Sequence, residues 1–394
     1  MQRRDARGFA FRRIFILAMG KAAAAMTNGA ISVLGSRVSG GLAVAPVEAL
    51  DRIPQPIVAL AGEHPLPGPA SLAAGTALVS AAQQAATHDL VLCLISGGAS
   101  SLAVSPLDGV GIADLHGVTG ALLRSGAPIA EINTVRKHLD GLRGGRLATL
   151  LAPARVLGLL VSDVPDDRLD VIASGPLVAD PTTWDDVRDV LVRHGIWESS
   201  PDAIRDAVRE RRAETPKPGD ARLANIEIEI VASAATALAA AADAARALGY
   251  TVDLDFRHVS GEARNLGAGL ARAVLAAVGS SCAVLRAGET TVTVRGSGRG
   301  GRNQEVALGA AEGLAGSNAL VAALGTDGID GPTNAAGAVA TGSTLERSRV
   351  ANLDLHSALE RNDAYRFFDA LSDLIRTGPT GTNVMDLYLA LRDR

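Results

Sequence analysis

Five short segments of the sequence combine glycine with charged or hydroxyl side chains directly after runs of apolar residues. They are GK at 20–21, SGGASS at 96–101, SDVPDD at 162–167, GSGRGGRN at 296–303 and GTDGIDG at 325–331. In open α/β sheets, ligands bind outside the carboxyl ends of the strands. Each segment alone is equally typical of a strand that turns tightly into a helix. Five of them in one chain favour a shared binding site for an anion.

Lys21 is the first candidate, because it follows Gly20 and opens a predicted helix. The pattern is not a Walker A motif, since Phe15 stands where the first glycine belongs and Ala22 stands where Ser or Thr belongs. A lysine beside the N–H groups of a helix N-terminus nevertheless favours an anion. The alternative is a solvated lysine at the start of a surface helix.

The second segment predicts a loop whose N–H groups and hydroxyls cradle a phosphate or a carboxylate. The residues predicted to bind are Ser96, Gly97, Gly98, Ser100 and Ser101. A tight turn whose serines cap the following helix is the alternative interpretation.

A predicted helix carries three further binding candidates, Asn133, Arg136 and Lys137. Since Arg136 and Lys137 are adjacent, their side chains point in different directions. One of them is expected to reach the site and the other solvent, although a solvated basic face fits the pattern equally well.

Asp163 ends a predicted strand and is followed by two more aspartates in SDVPDD. Carboxylates at such positions hold Mg²⁺ or orient a substrate hydroxyl. Asp163 is therefore a binding candidate, with loop and cap chemistry as the alternative.

Arg302 belongs to a glycine-rich segment that formally matches the dinucleotide fingerprint GxGxxG. A single match of this kind is weak, the preceding strand is predicted to pair in a hairpin, and Arg299 and Arg302 crowd the glycines. A planar guanidinium suits the clamping of phosphoryl oxygens better. The remaining binding candidates here are Glu289, Gly300, Gly301 and Asn303.

Asp327 and Asp330 are spaced by three among glycines at the end of a clear strand. Both are predicted metal ligands, and Asp327 is also a candidate catalytic base. The segment is not an EF-hand, because the full ligand spacing and the terminal glutamate are missing.

These segments need a scaffold, and the apolar pattern supplies one. Strand-like runs such as IFILAMG and DLVLCLIS alternate with alanine-rich helical stretches, which predicts a doubly wound, mostly parallel α/β sheet. Residues 209–222 are charged, carry prolines and lack periodicity, so we expect a linker there. The sequence predicts a Rossmann-like domain over 1–222 and a smaller mixed-sheet α/β domain over 223–394, with a hairpin formed by CAVLRAG and TTVTVRGSG.

Composition excludes several classes of function. The chain is 47% hydrophobic and 20% charged, with a net charge of −4 and only 3% aromatic residues. This balance favours neither nucleic acid nor an anionic membrane as a partner. The basic start lacks a signal-peptide core, and no run approaches the roughly 20 apolar residues that span a bilayer. We therefore expect a cytoplasmic protein.

A family resemblance adds to this interpretation. The blocks GKAAAAM, LISGGASSL, INTVRKHL, GETTVTVRGSGRGGRNQE, GTDGIDGPTNAAGA and TGPTGTNVMDL resemble, in the expected order, the glycerate 2-kinase family that carries a MOFRL domain. The resemblance implies that ATP phosphorylates D-glycerate to 2-phosphoglycerate with Mg²⁺. It also implies that Lys21 and Arg302 neutralise the transferred phosphoryl group and that Asp327 acts as metal ligand or base.

Two other functions stay open at this point. The GxGxxG match suits an NAD(P)H-dependent hydroxypyruvate reductase, and a phosphate- or sugar-acid-sensing module would bind without turnover. For the kinase, we expect the active site in the cleft between the two domains, and a homodimer is a further expectation.

Overall fold

The chain forms two compact units in a computed structural model that describes residues 3–4 and 10–393. The first unit comprises the described residues up to 161 together with 167–231, and the second comprises 162–166 together with 232–393. The boundary after residue 222 stays a prediction. The structure adds that the strand at 226–232 pairs within the first sheet.

The first unit is built on a six-stranded parallel sheet. Its strands are β3 Arg13–Met19, β4 Val38–Ala45, β5 Ile57–Ala61, β6 Asp89–Ile95, β7 Arg155–Val161 and β8 Ile226–Ala232, and two short strands, β1 Arg3–Arg4 and β2 Ala10–Phe11, pair separately. The order in space is β5-β4-β3-β6-β7-β8. Counted from β3, this is the 3-2-1-4-5-6 order of the doubly wound fold, so its topological switch point lies between β3 and β6.

Eight α-helices belong to the described part of the first unit. They are α1 Ala23–Leu34, α2 Pro69–Gln83, α3 Ala99–Leu102, α4 Ile112–Arg124, α5 Ile129–Leu139, α6 Arg146–Leu151, α7 Trp184–Arg193 and α8 Asp202–Glu210. Short 3-10 turns cover Gly35–Arg37, Val47–Arg52, Pro165–Asp167, Ile172–Ser174 and Ala221–Leu223. The central strand β3 is buried along most of its length, which explains its continuous apolar run.

The second unit contains a mixed six-stranded sheet. Its strands are β9 Thr251–Leu254, β10 Cys282–Gly288, β11 Ala319–Gly325, β12 Gly337–Thr341, β13 Leu374–Ile375 and β14 Asp386–Arg392, in the order β13-β12-β11-β14-β10-β9. Its helices are α9 Ala234–Ala247, α10 Ala263–Ala276, α11 Arg302–Leu314, α12 Thr344–Val350, α13 Leu355–Glu360 and α14 Ala364–Leu371. The β9–β10 pair is parallel and the others are antiparallel, so the predicted fold class is confirmed for both sheets.

The predicted hairpin between CAVLRAG and TTVTVRGSG is wrong. Strand β10 is paired on one side with β14 and on the other with β9, so neither of its edges is left for the segment that follows it. That segment instead makes a single parallel bridge between Thr291 and Glu262, beside the bridge from Gly288 at the end of β10 to Val259. Its Thr/Val alternation reflects an extended chain outside the sheet.

Among the described residues, no helix is long and apolar enough to cross a bilayer. The longest helix, α2, covers 15 residues.

Close contact between α10 and α11 fixes the core of the second unit. Gly267 on α10 faces α11 so closely that an added Cβ atom would lie 1.9 Å from the carbonyl oxygen of Val306. Gly309 on α11 has the matching role, since its Cβ atom would lie 2.4 Å from the carbonyl oxygen of Arg264. Glycine at both positions therefore lets the two backbones touch.

We expect Gly267→Ala to lower the free energy of unfolding by about 1–3 kcal/mol, because the methyl group has no room between the helices. Gly269 lies two residues further along the same helix, and its Cβ atom would meet only the end of Arg272 at 4.0 Å. Gly269→Ala is the matched control and should instead stabilise α10 by up to about 1 kcal/mol. Urea unfolding checks both, and equal effects would contradict this account of the helix contact.

Candidate active site

Gly20 and Ser96 meet at the switch point of the first sheet. They follow Met19 and Ile95, which are paired partners at the ends of β3 and β6. Gly20 has φ +122°, and a Cβ atom there would lie 2.3 Å from Ser96 Oγ. The Ser96 hydroxyl accepts a hydrogen bond of 2.9 Å from the Ala22 N–H at the start of α1. The two segments thus form one structure, which we call the loop cluster: residues 20–22, 96–101 and the side chains that contact them.

Lys21 is held within the loop cluster by its backbone and its stem. Its N–H donates to the Gly97 carbonyl at 2.9 Å. Gly98 has φ +82°, and a Cβ atom there would lie 3.2 Å from both Lys21 Cγ and His64 Cδ2. Lys21 and His64 are therefore close neighbours across Gly98. Partial burial lowers the pKa of His64, and the charge of Lys21 lowers it further.

Arg136 also contacts the loop cluster, whereas Lys137 is paired elsewhere. Arg136 Nη2 donates to the Ser100 carbonyl at 3.3 Å. Burial, followed by the nearby charge of Arg143, lowers the pKa of Arg136 to about 10, which leaves it charged at neutral pH. Lys137 is buried, and its Nζ lies 3.6 Å from Asp170 and 3.7 Å from Asp180. Of the two side chains, Arg136 is thus the one that contacts the loop cluster. Lys137 enters a buried ion-pair network, so the expectation that the other side chain reaches solvent is wrong.

Asn133 and the serines complete the loop cluster. Ser174 Oγ donates to Asn133 Oδ1 at 3.3 Å and lies 3.3 Å from Ser100 Oγ. The Ser101 N–H donates to the Gly98 carbonyl at 3.0 Å. The structure therefore brings together Gly20, Lys21, the predicted residues of 96–101, Asn133 and Arg136.

Asp163 lies two residues beyond β7, in the short segment 162–166 that clusters with the second unit. The preceding Ser162 N–H donates to the Ala232 carbonyl at 2.8 Å. A role of Asp163 in binding stays a prediction.

Apart from Asn303, the remaining candidates line a cavity of about 920 Å³ in the second unit. Its wall includes Glu289, Arg302, Asp327, Asp330 and the glycine segment around residue 300. His258, which the sequence did not single out, also lines this cavity.

The glycines of GSGRGG are needed for packing against the loop before α14. A Cβ atom on Gly296 would lie 2.4 Å from Arg361 Cα, and one on Gly298 would lie 2.4 Å from the Arg361 carbonyl oxygen. Asn362 Oδ1 accepts from the N–H groups of Arg295 and Gly296 at 2.7 and 3.1 Å. These contacts explain why residues 296 and 298 are glycines without invoking a bound dinucleotide.

Arg302 begins α11 and is held by two carboxylates. Its Nε and Nη2 donate to Asp386 at 2.5 and 3.1 Å, and its Nη1 donates to Glu289 at 2.6 Å. Burial alone would lower the pKa of Arg302. The hydrogen bond and the charge of Asp386 outweigh this effect and raise the pKa above its ordinary value. Arg302 is therefore a permanent cation on the wall of an otherwise acidic cavity.

Asp330 caps the N-terminus of α11. Its two carboxylate oxygens accept from the N–H groups of Asn303 and Gln304 at 3.0 and 2.8 Å. Asn303 Nδ2 also lies 3.3 Å from Asp330. These contacts satisfy helix donors that otherwise lack partners. The predicted metal role of Asp330 stays untested, but its carboxylate already has two backbone partners.

Asp327 stands at the turn after β11. Its Oδ1 accepts from the Ile329 N–H at 3.1 Å, and its carbonyl accepts from the Thr380 N–H at 3.0 Å. Unlike Asp330, it is not placed at a helix N-terminus. Its position on the cavity wall keeps it a candidate for binding a cation or a hydroxyl.

The sequence reasoning missed Asp386, the most deeply buried partner of Arg302. It is 1% exposed and forms the first residue of β14. The signal available was a single aspartate in the apolar run VMDLYLAL, where a buried charge needs a partner.

Fold and cavity together define a class of two-part α/β proteins, and the family comparisons identify it. Residues 2–209 match a family described as a domain of unknown function, DUF4147, and residues 282–386 match the MOFRL family. The chain belongs to the family of DUF4147–MOFRL proteins that includes the glycerate kinases, as the sequence predicted.

Particular relatives span nearly the whole chain. A D-glycerate 2-kinase of Thermotoga maritima is 38% identical over 96% of this chain and 90% of its own length. A crystal structure of a glycerate kinase from the same organism has a TM-score of 0.91 at 37% identity, covering 97% of this chain and 92% of that one. A protein of Agrobacterium vitis, 42% identical over 84% of this chain and 76% of its own length, has a name that suggests hydroxypyruvate reductase activity.

We expect stability to depend on the titration of Asp330. Burial raises its pKa from 3.8 to about 6, against the opposing effect of the Gln304 and Asn303 amides. A carboxyl group whose pKa is raised in the folded state contributes stability below pH 3.8 and loses that contribution as the pH rises through 6. Relative to Asp330→Asn, the wild-type protein should therefore lose about 2 kcal/mol of unfolding free energy between pH 4 and 7.

Urea unfolding of both proteins across that pH range measures the difference. Asp243→Asn, on the exposed surface of α9, is the matched control for removal of one charge. A wild-type minus Asp330→Asn difference that stays constant with pH would show that Asp330 is ionised throughout.

Proposed function

We propose that the protein transfers the γ-phosphoryl group of ATP to D-glycerate, giving 2-phosphoglycerate and ADP. The observation that carries the proposal is Arg302, a fixed guanidinium on the wall of a large cavity in a chain whose relatives include a D-glycerate 2-kinase. Phosphoryl transfer needs positioning and charge stabilisation more than covalent chemistry. Arginine and lysine beside glycine loops supply both.

In this reaction a bond forms between the substrate hydroxyl oxygen and the γ-phosphorus, and the bond to the β,γ-bridging oxygen breaks. Lys21 and Arg302 reduce the negative charge that spreads over the transferred group. The hydroxyl proton passes to a carboxylate, for which Asp163 and Asp327 are the two candidates.

The loop cluster suits an anionic group of the substrates. Lys21 and Arg136 bring two positive charges to segments that contain three serines and two glycines with positive φ, Gly20 and Gly98. The position at the β3–β6 switch point is where doubly wound folds bind ligands. We assign a carboxylate or phosphate of the substrates to this cluster.

The cavity residues fit a magnesium ion that is shared with nucleotide phosphates. Among residues 10–393, no three His, Cys, Asp or Glu side chains are grouped to hold a metal by themselves. Mg²⁺ is typically held by one or two carboxylates together with phosphates and water. Asp327 would hold the ion, with Glu289 on the same wall, and the ion would supply further neutralisation of phosphate charge.

A reductase would need a nicotinamide site, and its sequence support was the GxGxxG match. The packing of Gly296 and Gly298 against Arg361 accounts for these glycines without a bound dinucleotide.

The cytoplasmic location and the homodimer that the sequence suggested also stay predictions.

The activity is tested by incubating the protein with ATP, Mg²⁺ and a panel of small hydroxy acids that includes D- and L-glycerate. We expect ADP and 2-phosphoglycerate, identified by phosphorus NMR, with D-glycerate. NADH oxidation with hydroxypyruvate would support the reductase instead, and ATP binding without any product would support a sensing module.

We expect Lys21→Ala to lower kcat with ATP and glycerate by at least about 100-fold, because one cation near the phosphoryl group is lost. Lys217→Ala is the matched control, since Lys217 lies in a loop where it pairs with Glu214 at 2.9 Å. It should keep wild-type kcat. A folded Lys21→Ala protein with an unchanged rate would remove Lys21 from the proposed site.

A further inference from the structure

The carboxylate of Asp386 grips Arg302 along one edge of the guanidinium. Oδ2 lies 2.5 Å from Nε, and Oδ1 lies 3.1 Å from Nη2. Such a two-point contact fixes both the position and the plane of the guanidinium, which a single contact does not. Asp386 is 1% exposed, so water competes little for it.

Strand order places Asp386 at the cavity edge of the sheet. Strand β14 runs antiparallel between β10 and β11, so its first residue pairs with their last residues, Gly288 and Gly325. Glu289 follows Gly288 directly, and Asp327 lies two residues after Gly325. A Cβ atom on Gly325 would lie 3.4 Å from Asp386 Oδ1, in ordinary van der Waals contact with the carboxylate.

Tyr388 fixes Asp386 in turn. It lies two residues along β14, on the same face of the strand. Its hydroxyl donates to Asp386 Oδ2 at 3.3 Å and lies 3.4 Å from Thr290 Oγ1. Tyr388 is fully buried, and burial raises its pKa, so the hydroxyl keeps its proton as a donor.

The opposite edge of the guanidinium faces a more exposed partner. Nη1 donates to Glu289, whose side chain is 47% exposed, whereas that of Asp386 is 1% exposed. Arg302 therefore has one buried, doubly bonded edge and one edge at the cavity wall. Burying a charged pair costs desolvation and is weak evidence for added stability, but it fixes orientation.

We propose that Asp386 is a positioning residue, which holds Arg302 so that Nη1 is presented to the phosphoryl group of the bound nucleotide. The inference rests on the proposed function for the identity of that group. Tyr388 supports the same arrangement from behind the carboxylate.

The kinetic test compares Asp386→Asn with the wild-type protein in the presence of ATP, Mg²⁺ and D-glycerate. We expect kcat to fall about 100-fold, since small misplacement of a catalytic group has effects of that size. KM should change by less than about threefold, because binding of the ground state is largely kept. In an Arg302→Ala background, Asp386→Asn should change kcat by less than about twofold, because Asp386 acts through Arg302.

The matched control is Asp373→Asn, which breaks another two-point pair in the same unit. Asp373 contacts Arg347 at 2.5 and 3.1 Å, and neither residue lines the cavity. This variant should keep wild-type kcat. The proposal would be overturned if the reductions in kcat by Asp386→Asn and Arg302→Ala multiply in the double variant. A kcat of Asp386→Asn within twofold of wild type would also overturn it.

A second measurement does not depend on turnover. In nitrogen-15 NMR of the arginine side chains, the Nε–H signal of Arg302 is assigned by its loss in Arg302→Lys. We expect this signal to be slowed in exchange in the wild type and in Asp373→Asn but shifted and fast-exchanging in Asp386→Asn. An unchanged signal would overturn the positioning role, while an inactive wild type with the expected signals would overturn only the proposed function.

Discussion

A buried carboxylate organises the second unit. Asp386 lies where the end of β10, the end of β11 and the start of α11 come together. Its negative charge is paired with the guanidinium of Arg302. An aspartate in this position without the guanidinium would leave an uncompensated charge in the protein interior, which is strongly unfavourable. The hydroxyl of Tyr388 gives the carboxylate a further hydrogen bond. The cavity wall is consequently built around an ion pair.

The two units present different electrostatic surfaces at their strand ends. The loop cluster carries Lys21 and Arg136 with hydroxyls and backbone amides, and it lies at a parallel switch point. The cavity carries carboxylates from Glu289 and Asp327 with a single fixed arginine. By charge, the loop cluster is complementary to an anion, and the carboxylates of the cavity are complementary to a cation.

The alternation of strands and helices was readable from the sequence because each apolar run is buried in one strand. The ends of β3, β6 and β11 were placed correctly for the same reason, and with them Gly20, Ser96 and Asp327. The doubly wound order then brings the first two together. The sequence could not reveal this pairing by spacing alone, since Ala22 and Ser96 are 74 residues apart.

Long-range pairing explains what was missed. The hairpin after β10 was wrong because β14, at the far end of the chain, occupies that edge. Asp386 went unnoticed because its partner is 84 residues away. Helix geometry predicted that Arg136 and Lys137 diverge, but only the positions of Asp170 and Asp180 show that Lys137 is the one that enters an ion-pair network. The contact of Asp330 with the start of α11 was likewise not readable from the sequence, since Asn303 and Asp330 are 27 residues apart.

The closeness of His64 to Lys21 across Gly98 would couple protonation of the imidazole to the binding of an anion at the loop cluster. Lysine charge lowers the proton affinity of the imidazole, and by thermodynamic reciprocity an anion that screens the ammonium restores it. Near the midpoint of the imidazole titration, binding at Lys21 is therefore accompanied by proton uptake from the buffer. The heat of binding would then vary with the ionisation enthalpy of the buffer. The protonation state of His64 would change when an anion binds at Lys21, although the imidazole itself does not bind the anion.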